Sequence, residues 1–510
     1  LPRSTGEHNL ARLAERSFER HGDYDSLVFE GSWHSSASLD ERARRFGAAL
    51  VDLGIRPGDR VVVLMSNCPE AYVAYNAIWR AGAVLTPAIF LLSATELRHL
   101  LADSGARAVV TTPDLAVTVR EARAGVEGLE WVVTTGDAGP DELSLSELGQ
   151  AEPGSIVPRH DADLAALMYT GGTTGRSKGV MLSHEALWHA GAAGYEASYI
   201  PGLSRGIVTL PLSHAYGMLV TATGYHAVEP PVQALLRWFD PVSFLSLVAE
   251  HAVQTGAVVP SMIQALLACP VEEFDLSSLR YLVCGAAPLP GDVDRALAER
   301  MPGVELREGY GLTECCALVS TNPPGRVRAG SVGLPVRDVE VTIRDEDDAE
   351  VATSEVGEIC CRSPFVMQGY WHDADQTAET LRNGWLHTGD MGRLDADGYL
   401  YVVDRKKDLI IRGGFNVFPR DVEDALLEHP AIVAAGVVGR PDEARGEEVV
   451  AFVTLGPGQE VGEGELVAYA KERLGGYKYP REITIVPQLP MTPVGKVDRK
   501  ALRGLAQQEG

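Results

Sequence analysis

The chain has 510 residues, too many for one ordinary core, and that length points to about three domains. Apolar residues make up 45% and charged residues 23%, which excludes a disordered chain, and no run nears the roughly 20 apolar residues of a membrane span. Asp and Glu number 70 against 45 Lys and Arg, and a net charge of −25 argues against nucleic acid or anionic lipid as partner.

The first thirty residues carry charges throughout and lack an apolar signal core, so the expected location is cytoplasmic; the chain begins at Leu1, which leaves a trimmed leader open. A turn at Pro57-Gly58-Asp59 precedes the apolar run VVVLM (61–65), and AVVTT (108–112) follows a helical stretch ending near Gly105. LAALMY (164–169), IVTL (207–210), AVVP (257–260) and YLVC (281–284) read as further buried strands. Helical periods over 241–251 and 290–300 lie between them. This β-α-β rhythm predicts an α/β fold, a large N-terminal domain of mostly parallel sheets covered by helices. After about Gly330 the runs VEVTI (339–343), GEICC (357–361) and GYLYVV (398–403) alternate around Gly and Asp turns, predicting a smaller β-rich, barrel-like subdomain over about 330–404.

A last α+β unit follows, with a hairpin in DLIIRGGFNV, a helix opened by Pro419, the strands IVAAGVV and VVAFVTL, and a helix over 466–474. The charged junction Asp404-Arg405-Lys406-Lys407-Asp408 sets the expected boundary, giving domains 1–404 and 405–510. From Arg405 onward 15 basic residues face 16 acidic ones, and within 471–503 the ratio is eight to three. That stretch suits contact with a small anion, although a solvated charged face is the better account of most of those eight side chains. The seven cysteines (68, 269, 284, 315, 316, 360, 361) contain no C-x-x-C pair, so neither a zinc site nor a disulfide framework is expected.

The richest segment is MYTGGTTGRSKGVMLSHEAL (168–187). A strand ends near Tyr169, and Gly171, Gly172, Thr173, Thr174 and Gly175 follow. Glycines let backbone N–H groups approach an anion, threonines add hydroxyl donors, and Arg176 and Lys178 add charge; Ser183 is placed to cap the next helix. The order Ser177-Lys178-Gly179 is not the Walker pattern. Taken alone, such a loop is equally an ordinary flexible turn.

YTGGTTGRSKGV closely resembles the signature loop of the adenylate-forming enzymes: acyl-CoA synthetases, aryl-CoA ligases, firefly luciferases and peptide-synthetase adenylation domains. The family's usual form is Y-T-S-G-T-T-G-x-P-K-G, so Gly171 and Ser177 depart from it. Further segments follow in family order. LPLSHAYGM (210–218) resembles the stretch whose histidine, here His214, borders the acyl carboxylate. CGAAPLP (284–290) resembles the loop along adenine, with Gly285, Ala286 and Ala287. In EGYGLTE (308–314) the resemblance implies nucleotide contacts from Glu308, Gly309, Tyr310 (stacking on adenine), Gly311 and Thr313, and Mg²⁺ held by Glu314. WLHTGD ends in Asp390, implied on the ribose hydroxyls. DRKKDLIIRGGFNVFPRDVE places Arg405 toward ribose, Lys407 as hinge and Gly413-Gly414 beside pantetheine. PVGKVDR puts Lys496 at the adenylation lysine.

The implied activity has two steps. A carboxylic acid and ATP give acyl-AMP and pyrophosphate, then CoA gives acyl-CoA and AMP. Two anions must be brought together, so the resemblance implies ATP, Mg²⁺ and CoA, and a catalytic set of Lys496, His214, Glu314, Thr170 and Lys178. It also implies that the small domain is mobile and turns about Lys407 between the steps.

Ser213-His214-Ala215-Tyr216 lacks the aspartate that an amino-acid ammonium would want, so an amino acid is disfavoured. The expected acyl pocket is His214, Tyr216, Ser261, Met262 and Cys315, in apolar, small-residue surroundings, and a medium- or long-chain fatty acid fits first. An aryl acid is second. A dicarboxylate would need a cation, for which Arg237 is a candidate. A carrier-protein phosphopantetheine as acceptor and a homodimer stay open.

Overall fold

The computed structural model describes residues 6–170, 177–442, 444–491 and 497–508. The chain forms two compact units: 1–340 with 361–386, and 341–360 with 387–510.

The first unit holds two large sheets. One has nine strands, and its interior runs in parallel through Glu305–Tyr310, Tyr281–Cys284, Thr255–Val258, Arg205–Val208, Val232–Leu235 and Asp25–Phe29. Its core joins Ile207, Val258, Leu282 and Leu306 to Phe244, Leu245 and Val248 of the helix Pro241–His251. That helix begins where the sequence predicts, because Pro241 fits the first turn and the Asp240 carboxylate accepts the Ser243 N–H at 2.7 Å. The second predicted helix starts one residue late, at Gly291, with Pro290 as its cap.

The other sheet has eight strands. Arg60–Leu64, Val84–Ala88, Ala106–Thr111 and Trp131–Thr134 run parallel, as do Val84–Ala88 and Leu164–Thr170. The helix Ala94–Ser104 leads into Ala106–Thr111 through Gly105 at φ +59°, a left-handed stop that glycine adopts without strain. Strand Lys178–Ser183 returns antiparallel to Leu164–Thr170, with Thr170 opposite Lys178. Residues 171–176, between these two strands in the sequence, lie outside the described residues. Ser183 caps the following helix, accepting from Ala186 N–H at 3.1 Å.

In the second unit, strand Leu400–Arg405 pairs antiparallel with the end of Trp385–Leu394. A separate five-stranded sheet is built on the long hairpin Ile432–Asp442 and Gly446–Leu455. Strand Glu482–Ile485 is parallel to the latter, joined through the helix Glu463–Arg473. Val449, Ala451 and Val453 face a core with Val422, Leu426 and Leu466, whereas Val450 and Phe452 face Leu502 and Ala506. Alternate residues are thus buried on both faces, which is why VVAFVTL reads as a continuous apolar run. The predicted hairpin forms between Ile410–Arg412 and Phe415–Val417, with Gly413 at φ +58° and Gly414 at φ +82°, the left-handed pair a tight hairpin turn requires.

Candidate active site

The strands of the nine-stranded sheet place the chemistry-bearing loops of the first unit. His214 follows strand Arg205–Val208, Ser261 and Met262 follow Thr255–Val258, Gly285 follows Tyr281–Cys284, and Thr313 and Glu314 follow Glu305–Tyr310. Those strands are mutually parallel, so their carboxyl ends lie along one edge, where open α/β sheets bind ligands.

Glycines allow these loops to converge. A Cβ at Gly285 would lie 3.2 Å from the Gly309 carbonyl oxygen and 3.6 Å from the Tyr216 ring. One at Gly311 would fall 2.1 Å from the Ala317 carbonyl oxygen, so no side chain fits there. Glu308, Gly309 and Tyr310 are held in strand, Gly309 opposite Thr321 and Tyr310 opposite Ser320. Ala286, beside Ala287, takes φ +68°, a left-handed conformation that costs a non-glycine residue energy and marks a shaped turn.

His214 caps the helix Ala215–Tyr225: its Nδ1 accepts the Tyr216 N–H at 3.2 Å, which puts the proton of the neutral ring on Nε2. The half-buried Tyr216 donates its hydroxyl to the Val283 carbonyl at 3.2 Å, and desolvation of that hydroxyl pushes its phenol well up. Met262 packs partly buried against the sheet core with Sδ 3.7 Å from Thr209 Oγ1, while Ser261 is exposed. Cys315 is fully buried, and the Cys361 thiol shares a hydrogen bond with it.

A second cluster surrounds Glu314, whose Oε1 accepts the Tyr370 hydroxyl at 2.8 Å. Burial and that carboxylate push the Tyr370 phenol up, so it stays protonated and a donor. Lys178 Nζ lies 5.2 Å from the centre of the Tyr370 ring and donates to Gln376 Oε1 at 2.8 Å. Neither Tyr370 nor Gln376 stands out in the sequence. Gly179, after the lysine, leaves room for Trp371: its Cβ would come 3.0 Å from the Trp371 Cβ.

In the second unit Asp390 and Arg405 are direct cross-strand partners, with Asp390 Oδ1 3.4 Å from Arg405 Nε. The turn before Asp390 is set by Glu358, which the sequence reading overlooked. Glu358 Oε1 accepts the Gly389 N–H at 3.1 Å, and Oε2 accepts from Lys406 Nζ at 3.0 Å. Burial alone would raise the Glu358 carboxyl, but Lys406 and His387 hold it below the ordinary value. Both sides of Lys407 are tied down: Asp404 accepts the Arg420 N–H at 2.9 Å, and Asp408 accepts from Arg503 Nη2 at 2.5 Å. Gly413 and Gly414 form the exposed hairpin turn.

Gly171, Gly172, Thr173, Thr174, Gly175 and Lys496 lie outside the described residues. Arg237 is engaged: its Nε and Nη2 donate to the two Glu30 carboxylate oxygens at 2.7 and 3.0 Å.

Glycine-shaped turns at the carboxyl ends of parallel strands form the edge at which open α/β folds bind ligands. Residues 14–371 match the family described as AMP-binding enzyme, and residues 421–496 match the AMP-binding enzyme C-terminal domain. The chain is 34% identical to a long-chain-fatty-acid–CoA ligase of Escherichia coli O157:H7, covering 98% of this chain and 95% of that protein. It is 38% identical to a feruloyl-CoA synthase of an Amycolatopsis species, over 92% and 93%. The ATP-bound structure of MatB from Rhodopseudomonas palustris superposes with a TM-score of 0.90 at 31% identity, over 98% and 99%. The chain belongs to the AMP-binding enzyme family. It is an AMP-forming acid–thiol ligase, and ATP and CoA are the substrates of AMP-binding acyl-CoA ligases. No helix among the described residues is long and apolar enough to cross a membrane.

Proposed function

We propose that the acid is a medium- or long-chain fatty acid, activated as its acyl adenylate and passed to CoA. What supports this reading is the chemistry of the residues expected to line the acyl pocket. Tyr216, Ser261, Met262 and Cys315 are uncharged, and Arg237, the candidate counter-ion for a second carboxylate, is clamped by Glu30. A tail met by such residues is recognised by burial, worth about 0.8 kcal/mol per CH₂. The 38% identity to a feruloyl-CoA synthase favours an aryl acid as the second reading.

Glu314 is a hard oxygen donor, and with Tyr370 on one oxygen its other oxygen suits Mg²⁺. A magnesium ion there would neutralise triphosphate charge. Thr170, Lys178 and the loop 171–175 would cradle the phosphates, and Lys496 would stabilise charge across the forming bond. His214 would border the acyl carboxylate. Gly285, Ala286, Ala287, Gly309, Tyr310 and Gly311 would hold adenine, Thr313 the α-phosphate, and Asp390 with Arg405 the ribose. The exposed turn at Gly413-Gly414 would line the pantetheine path, and a mobile domain of 405–510 would turn about Lys407 between the steps.

The test is a pyrophosphate-release screen over fatty, aryl and dicarboxylic acids with CoA present. Highest kcat/KM for acids of about ten carbons or more supports the proposal. A preference for hydroxycinnamates assigns the aryl reading, and a preference for dicarboxylates contradicts the role given to the Arg237–Glu30 pair.

A further inference from the structure

Away from these loops, the first unit contains a basic cavity of about 430 Å³, lined by Arg12, Glu15, Arg16, Arg44, Arg80 and Ser155. Arg12, Glu15 and Arg16 share one face of the helix Leu10–His21, Arg44 comes from Ser36–Asp52, and Arg80 ends Pro69–Arg80. The loop carrying Ser155 is pinned over Arg80, whose carbonyl accepts the Val157 N–H at 2.8 Å.

Arg80 is the telling residue. It is only 3% exposed, yet only one strong contact serves it: Nη2 donates to Glu15 Oε1 at 3.2 Å. Nη1 lies 3.9 Å from Asp40 Oδ1, beyond hydrogen-bond reach, and among the described residues neither Nε nor Nη1 has a hydrogen-bond partner. Leaving guanidinium donors buried and unmade is costly unless something else accepts from them. Arg44 takes the other Asp40 oxygen, Oδ2, at 2.6 Å and lies 3.5 Å from Glu15, while Asp40 Oδ1 itself makes no hydrogen bond among the described residues and stays 3.9 Å from Arg80 Nη1. Arg16 donates to the uncharged Glu7 carbonyl at 2.8 Å. Four guanidinium groups thus meet two carboxylates in a protein whose overall charge is −25.

We infer that this cavity is a binding site for a phosphoryl group, carried by inorganic phosphate, diphosphate or a small phosphorylated molecule. Planar guanidinium forks match phosphate oxygens in pairs, and a cavity of this size has room for more than one phosphoryl group. The Ser155 hydroxyl adds a neutral donor at the rim.

Hydrogen exchange of the full chain, with inorganic phosphate or diphosphate added at constant ionic strength, reads the site directly, because protection is located by segment. Protection over 10–17 and 152–157 is expected, and Arg12→Ala with Arg16→Ala, both exposed positions, should weaken it about tenfold or more. The arm that protects at lower concentration tells monophosphate from diphosphate ligands. No protection there, equal protection by chloride, or undiminished protection in the double variant would each overturn the inference.

Discussion

Tyr370 donates its hydroxyl to Glu314 Oε1 at 2.8 Å, although 56 residues separate the two. The bond fixes one carboxylate oxygen and leaves the other for a ligand. Tyr370→Phe should therefore lower kcat/KM for adenylation about tenfold, the cost of losing one charge-assisted hydrogen bond. It should also raise the magnesium concentration needed for half-maximal rate. Thioester formation from supplied acyl-adenylate should hardly change, and an unchanged magnesium requirement would count against the role given to Glu314.

Glu358 orders the turn before Asp390 through Gly389 and pairs with Lys406. Glu358→Gln keeps the shape but weakens both contacts. A loss of about 1–2 kcal/mol is expected, seen as a several-fold rise in KM for ATP with kcat nearly kept. A rise confined to KM for the acid would show that Glu358 does not act through Asp390.

Lys496 and Lys407 are assigned to opposite steps. Lys496→Ala should cost adenylate formation about 3 kcal/mol or more while sparing thioester formation from supplied acyl-adenylate. Lys407→Pro should do the reverse by stiffening the junction. Equal loss of both steps in either variant would remove the assignment.

Glu423 is half-buried against Arg499, which reaches its carboxylate at 2.9 Å, and desolvation of that carboxyl raises its pKa to about 7. Its folded-state pKa lies above the unfolded one, so folding is favoured below about 4.5 and this contribution is lost as pH rises toward 7. Compared with wild type, Glu423→Gln should gain stability with rising pH across that window, on the order of 1–3 kcal/mol at most. Thermal unfolding followed at pH 4.5, 6 and 7.5 checks this, and a constant difference between the two proteins would contradict it.

What the sequence disclosed follows from what is local. The apolar run 61–65, the Asp240-Pro241 helix start and the Gly413-Gly414 hairpin each carry their own signal of period, cap or left-handed turn, and each appears close to where it was read. The ordered motifs likewise located Gly285, Gly309 and Tyr216, which the fold brings against one another. Tyr370, Gln376 and Glu358 stayed hidden because their roles come from partners far along the chain, and nothing in their own neighbourhood marks them. The partner of Arg237 was hidden for a similar reason: Glu30, which pairs with it, lies 207 residues away.

The most direct test separates the two half-reactions. Enzyme mixed with ATP, magnesium and a long-chain fatty acid, without CoA, should release about one equivalent of pyrophosphate and hold one equivalent of acyl-AMP. Adding CoA should convert that acyl-AMP to acyl-CoA and AMP in a single turnover. Pyrophosphate release that waits for CoA, or trapped acyl-AMP that CoA fails to discharge, would contradict the account.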